Sequence, residues 1–300
     1  MDLKFREDGT FTIMQLTDMH IGDGVEKKEK DDQTLALAAY LIEAEGPDLI
    51  VLTGDMIWSH GVADPAASFH RAIAPIVASG VPWAAVFGNH DSEGSVSRAE
   101  LLALQLESGP NCLSQAGPEQ LSGVGNYVLS VWDRAGVSEA AALYLLDSGA
   151  MAPVAVGGYE WIHPDQVNWY AQQSRQLSAR CKGPLPALAF FHMPLPEYAD
   201  VWAKGTVLGG QKFENVECAK INSGLFAALV EQGDVMGTFV GHDHDNDYCG
   251  MLHGIRLCYG RVTGYNTYGR LQRGARMIRL QEGERGFETW IRQADGEIIR

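Results

Sequence analysis

The chain has 300 residues, of which 46% are hydrophobic and 20% are charged, and its formal net charge is -15. This composition is typical of an ordinary globular protein and excludes a disordered or fibrous chain. The negative charge excludes extended nucleic-acid binding and binding to an anionic membrane surface, because both require clustered Lys and Arg side chains. No repeat or linker marks a boundary, so we expect a single domain over residues 1–300.

The first predicted elements alternate between strand and helix. Short runs rich in Val, Ile, Leu and Phe predict buried strands at residues 12–17, 49–53, 83–87, 187–191 and 236–240. Residues 34–44 and 65–79 have helical spacing and lie between the early strands. This alternation predicts βαβ units and a largely parallel sheet.

The remaining elements indicate a second sheet. Antiparallel strands are predicted at residues 126–132, 142–147, 254–259, 276–281 and 286–291. A helix should begin at His163-Pro164-Asp165, because Pro suits the first helical position, and run to about Cys181. The charged run at residues 26–32 and the Gly- and Pro-rich segment at residues 194–214 are predicted loops. We infer a second sheet packed on the first, with helices outside.

Neither the cysteines nor the hydropathy indicates export or a membrane span. The five cysteines are odd in number, widely spaced and without a Cys-x-x-Cys pair, so we expect no disulfide framework. The N-terminus lacks the apolar core of a secretory signal, and no run of about 18 uncharged apolar residues occurs. These features predict a cytoplasmic protein with reduced thiols.

Polar residues able to bind metal end all five predicted strands of the first set. They are Asp18 and His20 in LTDMH, Asp55 in LTGD, Asn89 and His90 in FGNHD, His192 in FFHMP, and His242 and His244 in VGHDH. Each motif alone is common in turns. Five separate strand ends that all carry carboxylate, amide or imidazole side chains, however, are hard to explain by core packing. Because the carboxyl ends of parallel strands form one crevice, the pattern predicts a metal site.

The ordered series D-x-H, G-D, G-N-H-D, H and G-H-x-H resembles the motifs of the calcineurin-like metallophosphoesterase superfamily. The flanking text FGNHDSE, FFHMPLPEY and GGYEWI is most similar to its purple-acid-phosphatase-like branch of the shorter type. The resemblance runs from Asp18 to His244. It implies an α/β (α+β) fold, a four-layer αββα sandwich with two mixed β-sheets flanked by helices.

The resemblance also implies a role for each matching residue. A first metal ion would be held by Asp18, His20 and His244. A second ion would be held by Asn89, His192 and His242, with Asp55 as the bridge. Imidazole and carboxylate ligands suit two divalent ions such as Mn, Fe or Zn. Purple acid phosphatases have an iron-binding tyrosine where this chain has Trp58, so we expect no purple chromophore.

The expected activity is hydrolysis of phosphate monoesters, on small molecules or phosphoproteins, by hydroxide activated at two metals. Asn89 and His90 would stabilise charge on the phosphoryl oxygens, and His90 would protonate the leaving oxygen. Asp91 is expected to orient the imidazole of His90 or to cap a helix. A phosphodiesterase acting on cyclic nucleotides or other diesters, and a metal-binding scaffold without turnover, remain as alternatives.

Three further residues near the motifs have two interpretations each. Asp243 and Asp245 would contact the ring nitrogens of nearby histidines, or they would only form a turn. His60 would contact substrate from a loop after Asp55, or it would be a solvent-exposed side chain. The sequence does not indicate the oligomeric state.

Overall fold

The computed structural model describes residues 2–25, 27–60 and 62–300. Its strands are β1 (Leu3–Lys4), β2 (Thr10–Leu16), β3 (Leu49–Thr53), β4 (Trp83–Val86), β5 (Tyr127–Trp132), β6 (Glu139–Leu145), β7 (Ala187–Phe190), β8 (Val207–Gly209), β9 (Val235–Val240), β10 (Cys249–Leu252), β11 (Ile255–Tyr259), β12 (Gly274–Gln281), β13 (Phe287–Gln293) and β14 (Ile298–Ile299). Its helices are α1 (Lys28–Glu45), α2 (Pro65–Ser79), α3 (Arg98–Glu107), α4 (Pro164–Cys181), α5 (Glu197–Ala203) and α6 (Leu225–Gln232). Among the described residues, no helix combines the length and the apolar character needed to cross a membrane.

The strands form two mixed sheets. The six-stranded sheet has the order β14-β13-β12-β2-β3-β4, in which β2, β3 and β4 are parallel. The eight-stranded sheet has the order β1-β5-β6-β7-β9-β11-β10-β8, in which β6, β7, β9 and β11 are parallel. The parallel strands that precede the metal-site motifs are therefore shared between the sheets: β2, β3 and β4 lie in one, and β7 and β9 lie in the other.

Three buried cores separate four layers. Leu52 packs with Phe69 between the six-stranded sheet and the helices of the first half of the chain. Its neighbour Val51 points to the other face, because side chains alternate along a strand, and packs with Phe190 between the two sheets. A third core contains Tyr170 of α4 and lies behind the eight-stranded sheet. This order of helix, sheet, sheet and helix confirms the four-layer αββα sandwich.

Most of the predicted elements are confirmed, and two predicted loops are wrong. Helix α1 begins at Lys28, so most of the charged run at residues 26–32 is helical; Glu26 of that run lies outside the described residues. Asp31 of this helix is buried 3.2 Å from the Arg71 guanidinium, which a fully solvated loop would not allow. The segment at residues 194–214 contains α5 and β8, because α5 buries Tyr198 and Val201 against the sheet.

Two of the five cysteines, which we expected to be reduced, form a disulfide. Cys249 of β10 and Cys258 of β11 lie opposite each other in an antiparallel pair and form a disulfide. The expectation of five reduced thiols was wrong. The two cysteines are nine positions apart in the sequence, and the pairing of neighbouring strands brings them together. Cys112, Cys181 and Cys218 are free. The cytoplasmic location loses the support of reduced thiols and stays a prediction.

Candidate metal centre

The carboxyl ends of five parallel strands meet at one edge of the sandwich. Asp18 follows β2, Asp55 follows β3 and Asn89 follows β4, while His192 follows β7 and His242 follows β9. The backbone N–H of His242 donates to both carboxylate oxygens of Asp18 at 3.2 Å, which joins the two sheets directly at this edge.

The first group of potential ligands consists of Asp18, His20 and His244. Nε2 of His244 lies 3.2 Å from Nε2 of His20 and 3.3 Å from Oδ1 of Asp18. All three side chains are buried. Two imidazole nitrogens and a carboxylate oxygen thus face a common point.

The second group consists of Asp55, His192 and His242, with Asn89 beside it. Nε2 of His192 lies 3.2 Å from Oδ2 of Asp55, 3.3 Å from Nδ1 of His242 and 3.2 Å from Oδ1 of Asn89. Three other potential ligand atoms therefore surround Nε2 of His192 at nearly equal distances.

Asp55 lies between the two groups. Its Oδ2 is 3.2 Å from Nε2 of His192 in the second group and 3.6 Å from Nε2 of His20 in the first. Its Oδ1 instead accepts the backbone N–H of His90 at 2.8 Å. One oxygen of this carboxylate is therefore positioned by the backbone, and the other faces both groups.

The donor set fits two divalent cations. Ligand atoms that share one ion at about 2.1 Å stand about 3.0 to 3.4 Å apart at right or tetrahedral angles, and most of the spacings above lie in that range. The donors are imidazole, carboxylate and amide groups without thiolate, which suits Mn, Fe or Zn. Buried carboxylates and imidazoles facing one point also require a cation or a proton between them.

The carboxylates of the centre have lowered pKa values. Burial alone raises the pKa of Asp18, but the hydrogen bond and charge of His244 outweigh burial and lower it to about 2. Burial also opposes ionisation of Asp55, yet the charge of His192 outweighs it and holds the pKa well below its usual range. Both carboxylates are therefore anionic at neutral pH, as metal binding requires.

The imidazoles divide into two kinds. Burial lowers the pKa of His20 to about 3 and the pKa of His242 to about 3, so both rings are neutral near pH 7. Burial also disfavours protonation of His192, but the negative charge of Asp55 outweighs burial and raises its pKa to about 9. Without metal, the His192 ring is therefore protonated on both nitrogens at neutral pH, and a bound cation would displace one of these protons.

The backbone at the centre is held in unusual conformations. The φ angles of Asp18, His20, Asp55 and His242 are 53°, 48°, 51° and 75°, in the left-handed region that non-glycine residues rarely adopt. Such conformations persist only where surrounding structure enforces them, and they cluster at functional sites. The loops after β2, β3 and β9 are therefore shaped to present these side chains.

Glycines of the motifs allow the loops to approach each other. A Cβ atom at Gly88 would overlap the carboxylate and backbone nitrogen of Asp55, and one at Gly241 would overlap Oγ1 of Thr17. Gly88 of G-N-H-D and Gly241 of G-H-x-H therefore leave room for the neighbouring loop, because they have no side chain.

Two of the ring nitrogens that face away from the centre have fixed partners. Nδ1 of His192 donates to the carbonyl of Thr53 at 2.8 Å, and Nδ1 of His244 lies 2.7 Å from Oγ1 of Thr267. The prediction that Asp243 and Asp245 contact histidine rings is wrong. Asp243 accepts from the hydroxyl of Tyr259 at 2.6 Å, and Asp245 accepts backbone N–H groups after Gly269, because both carboxylates turn away from the centre.

Asp91 does not orient the imidazole of His90. Its carboxylate accepts the backbone N–H groups of Asp55 at 2.9 Å, Ile57 at 3.1 Å and Gly88 at 2.8 Å, and so joins two loops of the centre. Burial and the charge of Asp55 raise its pKa to about 7. Both earlier interpretations, an imidazole partner and a helix cap, are therefore wrong, because three buried N–H groups compete for this side chain.

The partner of His90 is Glu93, which sequence reasoning missed. Nδ1 of His90 lies 2.5 Å from Oε2 of Glu93. The His90 side chain is partly exposed, and its ring centroid is 5.1 Å from that of His20. The His-x-x-Glu spacing was the available signal, whereas Thr267, which lies 23 positions from His244, had none.

Aromatic rings surround the histidines of the centre. Trp58 packs against His20 and His90, with centroid distances of 6.1 and 5.9 Å. Tyr159 packs on His242 at 4.4 Å and Tyr268 packs on His244 at 4.3 Å. These rings form the walls around the centre.

The four-layer sandwich and the paired donor groups define the class of two-metal phosphoesterase folds. The model of the family described as calcineurin-like phosphoesterase matches residues 11–246, which include every motif residue. The chain belongs to the calcineurin-like phosphoesterase family, as the motifs predict.

Relatives include phosphatases and proteins named as inactive. "Probable inactive purple acid phosphatase 29" of Arabidopsis thaliana is 36% identical over 99% of this chain and 85% of that relative. "Phosphatase DCR2" of Saccharomyces cerevisiae is 32% identical over 97% of this chain and 55% of that relative. Family membership therefore does not by itself establish turnover.

A solved structure shares the fold. The dimetal phosphatase from Danio rerio LOC 393393 superposes with a TM-score of 0.63 and 16% sequence identity, covering 93% of this chain and 98% of that chain. At this identity the likeness shows the fold alone.

Proposed function

We propose that this chain is a phosphoesterase that binds two divalent metal ions and hydrolyses phosphate monoesters. The single observation that carries the proposal is the position of Asp55, whose Oδ2 faces both donor groups. An isolated ion pair or hydrogen-bond network does not require one buried oxygen shared by two sets of imidazoles, whereas a two-metal site does.

The two donor groups support an assignment of ligands to each ion. Asp18, His20 and His244 would hold the first ion. Asn89, His192 and His242 would hold the second, and Asp55 would join them. The bound ions would supply Lewis-acid polarisation of the phosphoryl group and activation of a water molecule. They also give an acidic protein a local positive charge that attracts phosphate.

Asn89 and His90 supply the protein's own contribution to the chemistry. The amide of Asn89 stands at the second donor group and can donate its N–H to a phosphoryl oxygen. His90 is outside both donor groups, is partly exposed and is hydrogen-bonded at Nδ1, so its Nε2 is available to the substrate. It would transfer a proton to the leaving oxygen as the ester bond breaks.

The test is metal analysis combined with a panel of esters. We expect about two Mn, Fe or Zn ions per chain and faster hydrolysis of nitrophenyl phosphate than of its bis-ester. Asp55→Asn should lose both metal and activity, because the shared oxygen loses its charge. The matched control is Asp64→Asn, which should keep both, since Asp64 is an exposed helix cap and Asn caps equally well.

Three results would change the proposal. Retention of both metals in Asp55→Asn would contradict the bridging assignment. Faster turnover of the bis-ester would favour a phosphodiesterase with the same centre. No turnover of either ester with each metal supplied would favour the scaffold reading, which the inactive name of an Arabidopsis relative makes a specific alternative.

A further inference from the structure

A pocket lies beside the metal centre, and the proposed function does not use it. It has a volume of about 230 Å³, and its lining includes Lys27, Trp58, His60 and Asn266. We call it the Trp58 pocket. The inference drawn from it rests on the proposed function, because it concerns the organic group that the phosphate ester carries.

Trp58 connects this pocket to the proposed acid. The rings of Trp58, His20 and His90 form a triangle with centroid distances of 6.1, 5.9 and 5.1 Å. His20 belongs to the first donor group, and His90 is the proton donor. The indole therefore contacts both the metal centre and the residue that acts on the leaving oxygen.

The side of the centre that receives the leaving group follows from the position of His90. The leaving oxygen must be within hydrogen-bond reach of the imidazole that protonates it. The organic group attached to that oxygen therefore extends on the His90 side, where the Trp58 pocket lies. Tyr268 packs on His244 and donates its hydroxyl to Glu214 at 2.8 Å, so this aromatic ring is held by a carboxylate.

The pocket offers a planar surface, and a buried acceptor without a partner belongs to a residue of its wall. Nζ of Lys27 lies 4.9 Å from the centroid of Trp58, and Lys27 is exposed, so a movable side chain covers the indole face. Asn266 is buried, and its amide N–H donates to Asp31 at 2.7 Å. Its Oδ1 has no hydrogen-bond partner in the part of the chain that the structure describes. Aromatic rings pack well on such an indole face.

We propose that the Trp58 pocket receives the leaving group of the substrate and that this leaving group is a planar aromatic alcohol. The substrate class is therefore aryl phosphate monoesters. Trp58 is the residue that determines this specificity by packing against the ring, while the metal centre and His90 act on the phosphate.

The test measures binding of two non-hydrolysable phosphonates to the metal-loaded protein by calorimetry. Benzylphosphonate mimics phenyl phosphate, and ethylphosphonate mimics methyl phosphate. Trp58→Leu fills similar space without a planar face and should reduce the benzyl-over-ethyl affinity ratio by about 2- to 12-fold. Trp58→Phe keeps a planar ring and should retain most of the ratio.

Two comparisons make the result specific. Ethylphosphonate has no ring, so its affinity for each variant measures the phosphate site separately, and the ratio isolates the contact with the ring. The matched control Trp202→Leu replaces another partly exposed tryptophan, packed on Tyr248 away from the centre, and should leave the ratio unchanged.

The outcomes separate this inference from the proposed function. An unchanged ratio in Trp58→Leu, with ethylphosphonate still bound, would overturn the leaving-group pocket and leave the phosphoesterase proposal standing. Failure of both phosphonates to bind the metal-loaded wild type would overturn the proposed function and this inference with it.

Discussion

The contact between His90 and Glu93 determines which ring nitrogen is available to the substrate. Glu93 Oε2 lies 2.5 Å from Nδ1, so the Nδ1–H group donates to the carboxylate and Nε2 is left free of that bond. To protonate the leaving oxygen, the ring must carry a second proton on Nε2, which it gives up as the ester bond breaks. We therefore propose that Glu93 positions the imidazole and acts through His90.

His90→Ala should keep both metals and lose about 10²- to 10⁴-fold in turnover of esters with poor leaving groups. Glu93→Gln should lose less, about 10- to 100-fold. In the double variant the second substitution should cost nothing further, because Glu93 acts only through the imidazole. Rates on an alkyl phosphate measure the cycle, and additive losses would show that Glu93 acts independently of His90.

At the level of residues, the sequence was informative where chemistry restricts residue type. The meeting of Asp18, Asp55 and His192 at one edge was predictable, because residue types able to bind metal directly follow apolar strands. Thr267 was not recognised, because any hydroxyl brought near His244 by the fold would serve. The role of Asp91 was misassigned, because backbone N–H groups that only the folded loops bring together compete for its carboxylate.

Among the elements, the loops of the centre depend on glycine. Gly88→Ala should push the loop after β4 away from Asp55 and cost about 1 to 3 kcal/mol in unfolding free energy. Metal content should fall with it. Urea unfolding and metal analysis would measure both, and Gly286→Ala, which meets no neighbouring atom, should change neither. Full metal occupancy in Gly88→Ala would show that the loop tolerates displacement.

Long elements with local signals were predictable, and short ones were not. Helix α4 was predicted with its boundaries, because Pro164 marks its first turn. Strand β8 has three residues and pairs with β10, so tertiary contacts rather than its sequence define it. The disulfide between Cys249 and Cys258 was equally invisible, because strand register brings the two cysteines together.

For the whole molecule, the donor groups connect the two sheets, since Asp55 belongs to one sheet and His192 to the other. Removing metal with a chelator should therefore lower the melting temperature. At free metal about 1,000-fold above Kd, binding contributes about 4 kcal/mol, which corresponds to a shift on the order of 5 to 10 °C. Calorimetry with and without chelator would measure the shift. Asp55→Asn should show almost none, and an equal shift in that variant would mean that the stabilising ions bind elsewhere.

The hydrogen bond between His242 and Asp18 spans 224 positions of the chain. A ribosome releases the N-terminal part first, so Asp18 and His20 leave it long before His242 and His244 have been synthesised. Until then each nascent donor group lacks part of its ligand set. With the proposed function, the protein would therefore acquire its ions only after translation of this region is complete, and its maturation would depend on the metal supply that the folded chain meets.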